Sequence, residues 1–106
     1  MPMIAEISIA ELEPLVAAGS RVIDVRETDE FVSGHVPHAI SIPLSTLPDR
    51  VDDFRHEGTV YVICQSGGRS MRACQFLADF DINNVVNVVG GTSGWIASGN
   101  AVATGD

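Results

Sequence analysis

The chain has no lysine. All six of its cations are arginine, set against fourteen aspartates and glutamates, and the formal charge at neutral pH is −8. Such a surface repels nucleic acid and anionic membrane, which are themselves polyanions. Cysteine is scarce: Cys64 and Cys74 are the only two, too few for a disulfide-stapled scaffold. They form no Cys-x-x-Cys pair, and His35, His38 and His56 do not stand at zinc-finger spacing, so no metal site is expected. Long apolar runs are missing too. Val85-Val86 and, past Asn87, Val88-Val89 fall far short of the roughly 20 residues that span a bilayer. The start, Met1-Pro2-Met3-Ile4-Ala5-Glu6, has neither a basic end nor an apolar signal core. A cytoplasmic location is the expectation.

What is present suits a globular protein. At 106 residues and 45% apolar content, one domain over 1–106 with one compact core is expected. Short β-like runs alternate with helical stretches. Ile4 to Ile7 reads as a strand, and Ser8 with Glu11 forms a capping box for a helix stopped by Gly19. Pro14 inside it suggests two short pieces or a kink. Arg21 to Val25 is a second strand, and Thr28 caps a short helix through Phe31 and Val32. Ala39 to Ile42 is a third strand, and a helical piece runs from Ser45 to about Phe54. Thr59 to Ile63 is apolar at nearly every place, which suits a central strand covered on both faces. A helix from about Ser70 to Asp79 presents Ala73, Leu77 and Phe80 on one face. Val85 to Val89, Gly90-Gly91 and a short helix carrying Trp95 close the chain. The alternation predicts an α/β fold with a mainly parallel five-stranded sheet. In such folds the chemistry lies at strand C-termini, which brings together the loops after Asp24-Val25, Ile42 and Ile63.

One of those loops is chemically distinctive. In Cys64-Gln65-Ser66-Gly67-Gly68-Arg69-Ser70 a cysteine ends a strand, small residues turn sharply, and an arginine and a serine open a helix. A thiol attacks only as thiolate, and a free cysteine has a pKa near about 8.5. Lowering it by two units takes about 2.7 kcal/mol of preference for the anion. A helix N-terminus gives about 0.3 to 1 kcal/mol, at best about 2. Main-chain N–H groups curled round the sulfur can add the remainder, and Gly67-Gly68 would permit the curl. Arg69 supplies a positive charge for an anionic substrate group.

This loop resembles the active-site loop of the rhodanese family. Asp24-Val25-Arg26-Glu27, Glu30-Phe31 and Gly34-His35-Val36-Pro37-His38-Ala39 are similar to its Asp-Val-Arg and Gly-His-Ile-Pro signatures. Asn84-Val85 through Gly90-Gly91, then Trp95 and Gly99-Asn100, are similar to its closing motif. The similarity covers about residues 4–102. It implies the rhodanese-like three-layer fold, with helices on both faces of the sheet, and a double-displacement sulfurtransferase. Cys64 would take the outer sulfur of a donor such as thiosulfate as a persulfide and pass it to cyanide or a thiol. Backbone amides of Gln65, Ser66, Gly67, Gly68 and Arg69 would hold the persulfide, Arg69 would orient the donor, and Ser70 would support them. No cofactor is implied, and the partners are a small anionic sulfur donor and a thiol or cyanide acceptor, in one variant a partner protein's thiol. The competing readings are a protein-persulfide sulfur carrier and a docking or regulatory module without turnover. Tyrosine-specific phosphatases also pair a cysteine with an arginine, but across five residues, and Cys64 and Arg69 enclose four.

The remaining residues have plainer readings. Cys74 is expected in the core, because five helical residues past Arg69 add about 7 Å of rise, beyond easy reach of Cys64. Asp24 and Arg26 are expected to be structural, with Arg26 reaching to hold the Cys64 loop. His35, His38 and Trp95 are read as scaffold, and Asp49, Asp52 and Asp53 as a solvated helix face. Thr92-Ser93-Gly94 and Ala101 depart from the family's usual residues, at places expected to lie away from the loop.

Overall fold

A computed structural model describes residues 3–105; positions 1, 2 and 106, which include the first two residues of the start considered above, lie outside it. Strands β1 (Ala5–Ile7), β2 (Arg21–Asp24), β3 (Ile40–Ser41), β4 (Val60–Ile63) and β5 (Val85–Val88) form one sheet in the order β1-β5-β4-β2-β3. Every pairing is parallel. The apolar run at 60–63 is the middle strand, as a segment buried on both faces should be.

Alternation along the strands divides the core in two. Val60, Val62 and Cys64 face one side with Ile23 and Val25, under Ala73, Cys74 and Leu77 of α3 (Gly68–Ala78) and under Leu47 and Phe54. Ile63 and Val22 face the other, under Ile9 and Leu12 of α1 (Ile9–Ala17) and Trp95 of α4 (Gly91–Ala97). Helical layers on both faces of a parallel sheet make the three-layer α/β fold. Among the described residues no helix is long and apolar enough to cross a membrane.

Several local expectations need correction. The Ser8–Glu11 capping box forms, but α1 runs through Pro14 as one helix. Pro14 lies past the first turn and leaves Ala10 O without its helical donor, so the helix continues with that one bond missing. The short helix α2 (Thr28–Ser33) is capped by Glu27, not Thr28. The piece after Pro43 is two 3-10 segments, Leu44–Asp49 and Val51–Phe54. Pro48 lies in the first of them and denies it an α-helical donor. β3 is only two residues long, and Val89 lies beyond β5, half-exposed. The third helix starts at Gly68, two residues before Ser70, and Phe80 lies past its end, 45% exposed, so it does not extend the Ala73–Leu77 face.

The C-terminal ends of the central strands are tied together by main-chain bonds. Val25 N–H donates to Ile63 O (2.9 Å), Ile42 N–H to Asp24 O (3.0 Å) and Leu44 N–H to Val25 O (2.9 Å). The three loops expected to meet do so.

Candidate active site

Cys64 follows the last residue of β4, and Gly67 caps α3 with φ +112, a conformation that side chains other than glycine adopt only at a cost. That turn points the Gly67 N–H at Cys64 Sγ, 3.1 Å away. Gly68 is different. It is the first residue of α3, its φ is ordinary and a Cβ there would meet open space. The curl needs one glycine, not two.

The thiol lies beneath its own loop, 1% exposed. Burial on its own pushes a thiol up. Here it is outweighed by the Ser70 hydroxyl, 3.3 Å from Sγ, and by the main-chain N–H groups of Ser70, Gly67 and Ser66, which favour the anion and hold Cys64 below the ordinary thiol range. The single proton of the buried Ser70 hydroxyl is shared, since Asn87 Oδ1 and Gly67 O also lie within hydrogen-bonding distance of its oxygen, and Asn87 Nδ2 donates to Glu6 Oε2 at 2.8 Å and Gly67 O at 3.3 Å. Asn87 therefore anchors the hydroxyl that contacts the thiol. The sequence reading passed over it, although a polar residue interrupting Val-Val-Asn-Val-Val was the available signal.

The glycines after β5 also shape the loop. Gly91 has φ +58, and a Cβ there would stand 2.5 Å from Cys64 O and 2.6 Å from Gln65 O. This close approach lets Thr92 N–H donate to Cys64 O (2.8 Å) and Ser93 N–H to Gln65 O (3.0 Å). With those carbonyls held outward by α4, the following N–H groups are free to turn toward the sulfur. Thr92 and Ser93 were expected away from the loop. They touch it.

Side chains fix the outer rim. Arg26, 3% exposed, binds Asp24 through Nε and Nη2, Gly34 O through Nη2 (2.8 Å) and Gln65 Oε1 through Nη1 (3.2 Å). Gln65 Nε2 donates to Ser93 Oγ at 2.6 Å. Arg69 makes a bidentate fork on Glu30, Nη1 to Oε1 at 2.7 Å and Nη2 to Oε2 at 2.9 Å. The Arg69 guanidinium holds the Glu30 carboxyl down at about 2. Ser66 is exposed in the turn.

The other candidates stand apart. Cys74 is fully buried within α3, and burial pushes its thiol up to about 12. His35 is 5% exposed, stacked on Phe31 at 3.7 Å with Nδ1 2.7 Å from Phe31 O. His38 is exposed, in a turn. Trp95 is 5% exposed and donates Nε1–H to Ala101 O. Asp49 and Asp52 are exposed, and Asp53 is half-buried. A cavity of about 560 Å³ is lined by Arg21, His38, His56 and Tyr61 among others, and by none of the loop residues.

A parallel α/β sheet with helices on both faces is what the resemblance implied, and residues 8–98 match the model of the rhodanese-like domain. The chain belongs to the rhodanese-like family. This rhodanese-like domain is 34% identical to Arabidopsis thaliana thiosulfate sulfurtransferase 16, chloroplastic, over 90% of the chain and 89% of that protein. It is 41% identical to Bacillus subtilis YqhL over 72% of the chain, a match that spans 60% of that relative's length. The crystal structure of a rhodanese-related protein from Thermoplasma volcanium superposes with a TM-score of 0.85 at 34% identity, covering 93% of this chain and 97% of that one. Sulfurtransferase names among its relatives place this rhodanese-like domain with sulfurtransferases in kind.

Proposed function

We propose that the chain moves a sulfane sulfur from a donor such as thiosulfate to a thiophilic acceptor, cyanide or a thiol, through a persulfide on Cys64. The observation that carries this reading is a nearly buried thiol held below its ordinary pKa by donors from Ser70, Gly67 and Ser66. The thiolate attacks the outer sulfur of the donor. One S–S bond forms, the bond to the donor's inner atom breaks, and the electron pair leaves with the donor remnant. The persulfide then offers its outer sulfur to the acceptor, and Cys64 returns as thiolate. The transferred atom rides on the protein, so no cofactor enters the cycle.

Depth favours sulfur over phosphorus. A thiol at 1% exposure is served by a single protruding atom, the outer sulfur of a donor, and not by the shielded centre of a tetrahedral phosphate. The loop of four intervening residues is correspondingly small. An inert docking module has no use for a thiol activated in this way.

The test is the intact mass after incubation with thiosulfate. A gain of one sulfur atom is expected in the native chain and in Cys74→Ser, and none in Cys64→Ser. The reverse pattern, or no gain at all, refutes the reading. Cyanide-dependent thiocyanate release then measures turnover, and transfer to a protein thiol measures carrier behaviour.

A further inference from the structure

The cleft of about 560 Å³ lies at the end of the sheet opposite Cys64, among the loops that lead into β2, β3 and β4. Thr59, which lines it, immediately precedes β4, and Cys64 immediately follows that strand. Four strand residues at about 3.3 Å each put the cleft on the order of 13 Å from the thiol. Its polar side chains are Ser20, Arg21, His38, His56, Thr59 and Tyr61. Each of them can donate a hydrogen bond. Among the described residues no aspartate or glutamate lines it, although the chain has fourteen acids against six arginines.

Arg21 is short of partners. Arg26, Arg50, Arg55 and Arg69 each pair with a carboxylate, whereas Arg21 makes no ion pair among the described residues. Its guanidinium donates once, from Nη2 to Asp53 O at 3.1 Å, and its buried Nε finds no acceptor. Nor is it needed to cap α1, because the N–H groups of Ala18, Gly19 and Ser20 already bond to the carbonyls of the last turn. A guanidinium held in place with donors to spare suits an oxyanion.

His38 is a second sign. Its φ of +69 lies in the left-handed region, where glycine is at ease and other residues are held at a cost. Strain of this kind collects where side chains meet ligands, and the His38 side chain, exposed, lines the cleft. The His56 ring stands over Gly58, 3.7 Å from where a Cβ there would be.

We propose that this cleft is a binding site for a phosphate monoester, separate from the sulfur-transfer centre. A phosphoryl group brings three oxygens to Arg21, the two imidazoles and the hydroxyls, whereas a carboxylate brings two and leaves donors idle. Val16 and Ile40 line the same cleft and give the organic part of the ester an apolar wall. The volume is that of a site for a small organic molecule, and a bare phosphate would fill only part of it. The net charge of −8 does not forbid this, because exposed charges beyond about 8 Å are screened at physiological salt.

The test is titration of the native chain with phenyl phosphate, followed by amide NMR and calorimetry. Shifts should centre on Ser20, Arg21, His38 and Thr59 and leave Gly67 to Ser70 unmoved. Arg21→Gln should bind at least about tenfold more weakly, the scale of a lost hydrogen bond to a charged group. His38→Gly should bind about threefold or more weakly yet melt no lower than the native chain, since glycine suits the left-handed turn. That combination separates a ligand contact from a structural role. Inorganic phosphate, lacking the apolar part, and benzoate, lacking the third oxygen, should each bind several-fold more weakly than phenyl phosphate. The proposal is overturned by no binding at millimolar phenyl phosphate, by shifts centred on the Cys64 loop, or by equal affinity for benzoate or inorganic phosphate. Full affinity in His38→Gly overturns it as well. Cys64→Ser should bind as the native chain does, so this site stands or falls independently of sulfur transfer.

Discussion

Cys64 and Cys74 lie ten positions apart, belong to one core cluster and are equally hidden, at 1% and 0% exposure. Yet burial pushes Cys74 up to about 12, while Cys64 is held below the ordinary range. Desolvation acts on both in the same direction. What separates them is the supply of donors: Cys64 has a hydroxyl and three main-chain N–H groups, whereas Cys74 sits in mid-helix, where main-chain N–H groups are already spent on the turn before. Burial makes a thiol inert unless the backbone is free to solvate the anion in place of water.

The largest expected effect comes from spoiling that backbone. Gly91→Ala forces a methyl group to within 2.5 Å of Cys64 O, so the loop or α4 must shift. We expect a stability loss of about 2 kcal/mol or more, in the range of overpacked sites, and a hundredfold or greater fall in sulfur transfer, read by denaturant melts and rate assays. If Gly91→Ala leaves Cys64 as reactive as before, α4 does not hold the loop.

Ser70→Ala removes one donor from the thiolate. A hydrogen bond to a charged group is worth about 1.5–3 kcal/mol, so the Cys64 pKa should rise by about one to two units. The pH profile of iodoacetamide alkylation reads this directly. Asn87 Oδ1, which competes with the sulfur for the same hydroxyl proton, also loses that partner, at a stability cost of up to about 1–3 kcal/mol. An unchanged pH profile would mean that the main-chain N–H groups alone hold the anion.

The two thiols should also leave opposite marks on stability against pH. In the unfolded chain both titrate near about 8.5. Cys64, lowered in the fold, contributes stability that is complete above that value and is lost as pH falls through its folded pKa. Cys74 keeps its proton in the fold while the unfolded chain has lost its own. Stability should therefore fall between about 8.5 and 12, by about 1.4 kcal/mol per pH unit for this group. Chemical denaturation across that window in the native chain and in Cys74→Ala checks it. The falling slope should be shallower in the variant.

The smallest effect separates the two loop glycines. Gly68→Ala meets open space at the first position of α3, and should be neutral or stabilising by up to about 1 kcal/mol with transfer retained. Gly67→Ala at φ +112 should cost about 1–2 kcal/mol and withdraw an N–H from the sulfur. Equal responses would mean that both glycines shape the curl.

Much of this protein was legible in its residues. The apolar run before Cys64 marked the central strand, the alternation of strand and helix marked the parallel sheet, and the Cys64–Ser70 segment marked the loop. These signals are local: they depend on side-chain period, on cap chemistry and on which residue types turn sharply. The sequence could not say that Asn87 would anchor Ser70, that Gly91 would press against Cys64 O, or that Glu30 would occupy Arg69, because each pairs residues 17 or more positions apart. Nor could it tell that Gly68 belongs to the helix while Gly67 makes the turn. Composition and period determined the fold class, and the Cys64–Ser70 motif marked the candidate thiol. Which donors reach the sulfur, and which charges are left unpaired beside it, was decided only when the strand ends met in space.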